Sequence, residues 1–456
     1  MKIALLSPAG AMHRFSGSFS KSLHYAPLTL TLLAALVPQE LEAKVEIYDE
    51  TIEEIPKNLD VDLIGTTVIT GTSSRAYRWA NYYRSKGVKV VLGGIHPTLM
   101  PNEAKEYADA VVVGQAEESW PRLLRDFKVG QMRSFYYQQD NFSLEGRRIP
   151  NRELFERKKF ITKNSIEATR GCINDCSFCA VNATFGKTLY KRPIFEVVAE
   201  IEQLAGKDVL FVDVNLTADK EYAKALFREL VPLNKWWFGL VTADVIEDAE
   251  LFDLMVASGC KGLLIGFESV SNSSLADINK SHNQRVDYDL LMKKLHNSGI
   301  VVNGTFCFGT DMDDKDVFKR TVEQVIELKI DLPRFSILTP FPGTKLYQNL
   351  KHQDRIIESD WALYDVQHAV FKPKNMTPQE LEEGLAWAWK ETYKLSSIAR
   401  RLSRFHMLFP INLASNLGYR SYGRRLKEFP KAVMIDNSDI DGEDNYEDNI
   451  HLTSNR

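Results

Sequence analysis

Short apolar runs rich in β-branched residues alternate with longer amphipathic stretches over the first 125 residues. The runs include "KIALLSP", "VDLIGTTVIT", "KVVLGGIHP" and "ADAVVVGQ", and residues 73–87 space their apolar positions as a helix does. Apolar strands separated by helices are typical of a parallel sheet that is covered on both faces. The pattern therefore predicts a doubly wound α/β domain over residues 1–125.

Small and hydroxyl-bearing residues follow several of these runs, at the positions where such sheets bind ligands. They are Thr70, Gly71, Thr72, Gly93, Gly94 and Gly114. Backbone can approach a large ligand closely at these positions. His96 follows the Gly-Gly pair and precedes a proline, and we expect it to orient its loop by hydrogen bonds rather than to bind a metal.

A second series of strands and helices occupies residues 164–349. Its apolar runs are "SIEATRGC", "VLFVDVN", "WFGLVTA", "GLLIGFES", "VVNGTFCFG" and "PRFSILTPFPGT". Six repeats of strand and helix favour a barrel or partial barrel. Residues 126–163, between the two series, mix aromatic, charged, Gly and Pro residues without a sustained period. They predict a connector that can include a small hairpin.

The pattern beyond the barrel is helical and predicts a C-terminal domain over residues 350–433. Thr377 and Glu380 form a predicted capping box, with Pro378 at the first helical position. Residues 434–456 are polar and acidic, and we predict that this tail is disordered.

Composition narrows the class of protein. The formal net charge is -4 over 456 residues, which gives no basic field of the kind that nucleic-acid-binding proteins carry. The five cysteines suggest no disulfide framework, and we expect a reducing cytoplasm. The start of the chain lacks a cleavable signal pattern, and the apolar run "LTLTLLAALV" is too short to span a bilayer.

The chemically distinctive stretch is "ATRGCINDCSFCAV", which spaces Cys172, Cys176 and Cys179 as C-x3-C-x2-C. Structural zinc takes four ligands, and the chain has no second cysteine or histidine pair at zinc spacing. Zinc is therefore the less favoured interpretation. An iron-sulfur cluster held by three thiolates leaves one iron free to bind a substrate or cofactor.

At this motif the chain resembles the radical S-adenosylmethionine enzymes. The cysteine spacing after the first strand of a six-unit barrel carries the resemblance, together with the aromatic Phe178 before the third cysteine. The resemblance implies that the three cysteines hold a [4Fe-4S] cluster whose fourth iron chelates S-adenosylmethionine. It also implies reductive cleavage to a 5'-deoxyadenosyl radical, with the electron supplied by a donor such as flavodoxin or ferredoxin.

The resemblance extends along the barrel through "FVDVNLTAD", the G-x-E-S segment of "GLLIGFESVS" and "VVNGTFCFGTDMDD". It assigns contacts with S-adenosylmethionine to Asp213, Asn215, Gly266, Glu268, Ser269 and Phe308. Taken alone, Asp213 and Asn215 are typical of turn residues at a strand end, and Glu268 of a helix cap. Their order relative to the cysteines favours the binding roles, whereas no catalytic side chain is assigned.

The α/β domain followed by this barrel resembles the cobalamin-binding class of these enzymes, which contains oxidative cyclases and methyltransferases. The segments "APLTLTLLAALVP", "GGIHPTLMP" and "VVVGQAEESWPRLL" carry the resemblance. It implies a Rossmann-like cobalamin domain in which Thr70, Gly71, Thr72, Gly93, Gly94, His96 and Gly114 contact the cofactor. The chain lacks D-x-H-x-x-G, whose histidine ligates cobalt, so base-off binding is implied. The alternative is a domain used only for packing.

Three functions follow from this resemblance. The favoured one is methyl transfer to an unactivated carbon of a small-molecule or lipid-like substrate. A cyclase or rearrangement enzyme that uses cobalamin without methyl transfer is the first alternative, and an inactive cobalamin sensor or carrier is the second. The arginine-rich segment at 398–429 suggests peripheral membrane contact as one interpretation, although a solvated basic face on docked helices is favoured there.

Overall fold

The computed structural model describes residues 1–10, 25–155, 160–404, 407–426 and 440. The predicted acidic tail over 434–456 therefore lies outside the described residues, except for Ile440, which is buried against the first domain. Within the described part of the chain, no helix is both long and apolar enough to cross a membrane.

A six-stranded parallel sheet forms the first domain, in the order β2-β1-β3-β4-β5-β6. Its strands are β1 (Lys2–Ser7), β2 (Lys44–Asp49), β3 (Leu63–Thr67), β4 (Lys89–Gly93), β5 (Ala110–Val113) and β6 (Phe135–Tyr137). Each face has its own apolar core, one around Leu5 and Trp120 and the other around Leu6 and Trp79. The doubly wound fold predicted from the apolar runs is confirmed.

Five helices accompany this sheet, and one strand comes from a segment predicted to be a connector. The helices are α1 (Leu28–Ala35), α2 (Ser73–Ser85), α3 (Ile95–Leu99), α4 (Pro101–Tyr107) and α5 (Ala116–Lys128). The connector contains β6, which pairs parallel to β5, instead of a hairpin. Its three residues, Phe135 to Tyr137, are too few to show a period in the sequence.

The second sheet is also parallel and six-stranded, in the order β14-β13-β12-β11-β10-β7. Its strands are β7 (Ser165–Ile166), β10 (Asp208–Phe211), β11 (Trp236–Val241), β12 (Cys260–Glu268), β13 (Val301–Phe308) and β14 (Arg334–Ile337). Two further strands, β8 (Thr169–Gly171) and β9 (Leu189–Lys191), form an antiparallel pair beside it. The predicted six-unit partial barrel is confirmed.

Helices connect these strands and pack on one core with the C-terminal region. They are α6 (Ala180–Phe185), α7 (Ile194–Glu202), α8 (Lys220–Leu230), α9 (Ala249–Ala257), α10 (Asn272–Asp277), α11 (Tyr288–Asn297), α12 (Val317–Glu327) and α13 (Lys345–His352). Side chains of Asp219, Asp248 and Asp287 accept backbone hydrogen bonds at the starts of α8, α9 and α11. Acidic caps thus fix where these connecting helices begin.

In the described part of the C-terminal region there are three α-helices, namely α14 (Pro378–Thr392), α15 (Leu395–Arg401) and α16 (Phe409–Arg425). The predicted capping box is confirmed, because Thr377 Oγ1 accepts from the amide of Glu380 and the Glu380 carboxylate accepts from the amide of Thr377. Trp389 of α14 donates its indole N–H to the carbonyl of Phe335 at 3.1 Å, which fixes α14 on the last barrel strand.

Candidate functional site

The three cysteines lie on one short loop between β8 and α6. Cys172 follows the last residue of β8, and Cys179 stands at the N-cap of α6 with its amide donating to the carbonyl of Cys176 at 3.2 Å. All three thiols are free and half-buried. Among the described residues, no three His, Cys, Asp or Glu side chains converge as they would around a single metal ion. In a cluster held by three cysteines, each thiolate binds a different iron.

Contacts from two other parts of the barrel hold the cysteine loop. The amide of Ser177 donates to the carbonyl of Ile278 at 3.1 Å, and the amide of Leu346 donates to the carbonyl of Ser177 at 2.9 Å. The ammonium group of Lys345 lies 2.8 Å from both carboxylate oxygens of Asp175. The loop is thereby fixed between the segment after α10 and the start of α13, so its shape does not depend on the cysteines alone.

Phe178 packs inward from this loop against Ile278, Cys307 and Leu338. Cys307 and Phe308 are neighbours near the end of β13 and point to opposite faces of the strand. Phe308 contacts Phe318 and Phe335 in the apolar core, and its contact with S-adenosylmethionine stays a prediction. Sequence reasoning missed Cys307 as the residue of β13 on the cluster side, although the alternation along the strand distinguishes it from Phe308.

Asp213 holds the chain just before the cysteine motif. Its carboxylate accepts from the amide of Ala168 at 3.1 Å and from the hydroxyl of Thr169 at 2.7 Å. Asp213 is fully buried, and this burial raises its pKa to about 7. Its partner in the prediction, Asn215, is also buried, and its side-chain oxygen accepts from the hydroxyl of Thr217 at 3.2 Å. Both side chains bond to the protein itself.

Glu268 forms an ion pair beside the cysteine loop. Its carboxylate lies 2.6 Å from the ammonium group of Lys280, and both side chains are largely buried. Glu268 ends β12 with a φ of 63°, a conformation that costs a non-glycine residue energy and is common at functional sites. At Gly266, a Cβ atom would lie 2.6 Å from Lys280 Nζ and even closer to the Glu268 carboxylate. Because Gly266 has no side chain, it leaves room for the Glu268–Lys280 ion pair.

Lys280 also acts on the thiol of Cys176. Burial raises the pKa of Cys176 to about 12, and the ammonium charge of Lys280 opposes that rise. Ser269, the remaining residue of the predicted segment, is buried and accepts from the amide of Ser271 at 3.1 Å. No sequence pattern identifies Lys280 as a functional residue, because the cysteine whose pKa it affects, Cys176, lies far away in the sequence.

A cavity of about 340 Å³ lies between the two sheets, with walls from both domains. The first domain contributes Leu28, Leu32, Leu36, Thr67, Ile69, Gly93, Gly94, Gly114 and Gln115, and the barrel side contributes Glu167, Arg170, Gly171, Val181, Phe185 and Val214. Gly94 has a φ of 104°, and a Cβ there would lie 2.8 Å from the carbonyl oxygen of Val68. Thr70, Gly71 and Thr72 are buried and do not line this cavity.

The cavity wall fits a large ligand that needs polar contacts at its rim. Gln115 Nε2 is buried on the wall and has no hydrogen-bond partner among the described residues. No histidine, cysteine, lysine or methionine is found among the described residues that line the cavity. The small residues of this wall and the unsatisfied Gln115 amide fit a large ligand with polar groups, such as a corrin.

His96 is fully buried outside the cavity lining. Its Nδ1 lies 3.3 Å from the hydroxyl of Thr70, and its Nε2 lies 3.2 Å from the carboxylate of Glu103. Glu103 in turn accepts from the indole of Trp361 at 3.0 Å. Both ring nitrogens therefore make contacts within the protein and join α3 to the C-terminal region.

Arg170 connects the two domains across the cavity. Its guanidinium donates to the carboxylate of Glu117 at 2.8 Å and to the side-chain oxygen of Gln115. On the barrel side it donates to both carboxylate oxygens of Glu167, at 2.9 and 2.7 Å. Arg170 was not predicted from the sequence. Its only distinguishing feature there is a charged side chain two positions before Cys172, among small residues.

Comparison with known proteins assigns a family to each domain. The model of the radical SAM superfamily matches residues 166–327, and the model of the B12 binding domain matches residues 24–124. The chain is 31% identical over 388 residues to bacteriochlorophyllide d C-12(1)-methyltransferase of Chlorobaculum tepidum, covering 82% of this chain and 84% of that protein. It is 27% identical to the C-8(2)-methyltransferase of the same organism, covering 89% and 93%.

A solved structure shares the whole architecture. It is the radical S-adenosylmethionine methyltransferase TsrM from Kitasatospora setae with cobalamin and a [4Fe-4S] cluster bound, with a TM-score of 0.64 and 18% identity over 94% of this chain and 99% of that one. The cysteine loop and the inter-domain cavity are the sites of this chain that fit those two groups. The chain therefore belongs to the B12-binding radical S-adenosylmethionine enzymes, within their cobalamin-dependent methyltransferases, whose cofactors are a [4Fe-4S] cluster, S-adenosylmethionine and cobalamin.

Proposed function

We propose that this protein transfers a methyl group to an unactivated carbon of a large, hydrophobic substrate. The observation that supports the proposal is the position of the inter-domain cavity. Its barrel wall is made by Arg170 and Gly171, directly before the first cysteine, and by Val181 and Phe185 of α6, directly after the third. A ligand in this cavity would thus lie beside the cysteine loop, so the two cofactors would face a shared space.

Residues of this chain position the cysteine loop and exclude water from the cavity. When bound, the cofactors supply a carbon-centred radical and a methyl group. Arg170 fixes the cysteine loop to the first domain, and Asp213 fixes the turn before it. The cavity walls of Leu28, Leu32 and Val214 are apolar, which disfavours water next to a reactive intermediate.

The test is an anaerobic incubation of the reconstituted protein with reductant and S-adenosylmethionine carrying a deuterated methyl group, together with candidate hydrophobic substrates. Methyl transfer driven by a radical should form 5'-deoxyadenosine and S-adenosylhomocysteine together, with the labelled methyl group in the product. The variant Cys176→Ala should form no 5'-deoxyadenosine, whereas Cys260→Ala should keep it, since Cys260 lies buried in β12. Formation of 5'-deoxyadenosine alone would favour a cyclase.

A hydrophobic substrate class is supported by the surface of α16. Its buried face carries Asn412 and Asn416, while its exposed positions are Pro410, Ile411, Ala414, Leu417, Gly418, Ser421, Arg424 and Arg425. Ile411 is 66% exposed and Leu417 is 46% exposed. The buried asparagines are satisfied, because Asn416 accepts from Arg401 at 2.9 Å and Asn412 donates to Asp331 at 3.1 Å.

This outward face is apolar with a basic end and has no acidic residue among its exposed positions. Basic side chains near a bilayer attract anionic lipids, and exposed apolar side chains can be buried at the headgroup boundary. We therefore extend the proposal to peripheral contact with an anionic membrane through α16, where hydrophobic substrates partition. The sequence favours a solvated basic face on docked helices, and that arrangement remains the alternative to membrane contact.

A further inference from the structure

A groove of about 800 Å³ lies between α2 and α4 on one face of the first domain, and we call it the α2–α4 groove. Aromatic side chains form much of its wall, namely Tyr77 and Tyr82 of α2 and Tyr107 of α4. The rings of Tyr77 and Tyr107 are stacked, with their centroids 4.1 Å apart. Trp361, from the segment that follows α13, adds a further ring. An aromatic groove on a protein surface is typical of a site that binds a peptide or a partner.

Ile440 also lines this groove, although it comes from the C-terminal end of the chain. Only 2% of Ile440 is exposed, and it packs in the same apolar core as Tyr77 and Ala104. Burial of a whole isoleucine side chain is favourable. In the sequence, Ile440 stands between Asp439 and Asp441. It is therefore a buried apolar residue in an acidic segment.

The charges of this acidic segment and of the groove are complementary. Residues 434–449 contain seven acidic residues and no lysine or arginine, so the segment is strongly negative. Arg78 lines the groove. The ammonium groups of Lys57 and Lys86 lie 6.0 and 5.0 Å from the ring centroid of Tyr82 on the groove wall. These cations attract an acidic segment to the groove.

The groove spans the joint between the first domain and the barrel. Trp361 donates its indole N–H to Glu103 of α4 at 3.0 Å, and Glu103 also accepts from the hydroxyl of Tyr77 at 2.9 Å. Farther along the segment of Trp361, the carbonyl of Val366 accepts from the amide of Ile337, the last residue of β14, at 2.7 Å. A peptide in the groove therefore contacts the first domain and also a segment that is fixed to the barrel.

We propose that residues 434–449 dock in the α2–α4 groove of their own chain, with Ile440 as the apolar anchor, and so cover the joint between the first domain and the barrel. The burial of Ile440 in a groove with basic residues beside it supports the proposal. The sequence alone predicts a disordered tail, because one isoleucine among acidic residues shows no period. Docking would act close to the inter-domain cavity, since α4 directly follows α3, whose Thr98 lines that cavity.

The test measures, by fluorescence anisotropy, how tightly the full-length reconstituted protein binds a labelled peptide with the sequence of residues 434–449. In wild type, the protein's own tail competes for the groove. Thirteen residues connect Leu426 to Ile440, and a tether of that kind gives an effective concentration on the order of mM. Ile440→Asp removes the anchor and frees the groove, so this variant should bind the peptide about tenfold or more tightly than wild type. The affinity should fall with added salt, because salt screens exposed charges.

Matched variants separate docking in the groove from non-specific attraction between charges. A peptide that carries Ile440→Asp should not bind. A protein with Ile450→Asp, the same change ten residues farther along the chain, should behave as wild type does. Arg78→Glu added to the Ile440→Asp protein should abolish peptide binding, whereas Lys128→Glu, at an exposed residue of α5, should leave it intact.

Equal affinity of wild type and the Ile440→Asp protein for the peptide, no binding to either, or full binding of the Ile440→Asp peptide would each overturn the proposal. Gel filtration at two protein concentrations distinguishes docking within one chain from exchange between two copies. A wild-type dimer that Ile440→Asp converts to a monomer would place the tail in the groove of a second copy and overturn docking within the chain. Because no turnover is needed, these outcomes are independent of the 5'-deoxyadenosine and S-adenosylhomocysteine measurements that test methyl transfer.

Discussion

Arg170 and Glu117 form an ion pair of 2.8 Å that ties the residue two positions before the first cluster cysteine to the start of α5 in the first domain. Both side chains are largely buried, with 14% and 10% exposed. The pair therefore makes the cysteine loop part of the inter-domain interface.

Removing the guanidinium should be costly, because it leaves Glu117 buried without its cation and removes one of the cations that pair with Glu167, whose other partner is Arg147. We expect Arg170→Ala to lower the free energy of unfolding by about 3–5 kcal/mol, and to reduce the cobalamin retained after reconstitution. Urea denaturation and the cobalt content after gel filtration measure the two effects. The exposed Arg148→Ala should change neither quantity, and an equal loss in that variant would contradict the assignment of Arg170.

Gly266→Ala should displace the pair formed by Glu268 and Lys280. The added methyl group overlaps both charged ends, and we expect a loss of about 1–3 kcal/mol in stability from overpacking. Cleavage of S-adenosylmethionine to 5'-deoxyadenosine should fall with it. Gly418→Ala is the matched control, because a Cβ there meets no atom within 4 Å and should stabilise α16 by up to about 1 kcal/mol. Unchanged cleavage in Gly266→Ala would show that the pair is dispensable.

Asp213 should give the protein a pH-dependent stability. Its folded-state pKa of about 7 exceeds its ordinary value of 3.8, so the folded protein retains a proton that the unfolded chain has released between these values. Its contribution is therefore greatest below about pH 4 and declines as the pH rises toward 7, by at most about 1.4 kcal/mol per pH unit. The difference in unfolding free energy between wild type and Asp213→Asn should shrink across this range. A constant difference in urea denaturation series would refute the expectation.

The exposed face of α16 should govern binding to vesicles. We expect wild type to float with phosphatidylglycerol vesicles and not with phosphatidylcholine vesicles, and Ile411→Asp with Leu417→Asp to abolish flotation. Val129→Asp, a similar change at an exposed apolar residue of the first domain, should leave flotation intact. If the aspartate variants instead convert a dimer to a monomer in gel filtration, the face binds a second copy of the chain.

The sequence sufficed for both sheets apart from β6, and for the cysteine motif, because buried parallel strands are continuous apolar runs and cysteines are few in this chain. Residues whose role depends on what lies opposite them could not be predicted. Cys307 and Phe308 are neighbours in β13, yet Phe308 packs in the barrel core and Cys307 packs beside Phe178 of the cysteine loop. Thr70 contacts His96, whereas Gly93 lines the cavity. Lys280 is placed by its contact with Glu268, which only the folded chain shows.

The strand β6 also bears on how this protein can be divided or recombined. A fragment ending at residue 125 would leave β5, with its "AVVV" sequence, as an unprotected sheet edge that invites association with other chains. Chimeras that exchange the first domain between methyltransferases should therefore place their junction after Phe155, so that each donor brings its own sixth strand. The cobalamin-binding domain therefore extends into the segment that the sequence predicts to be a connector.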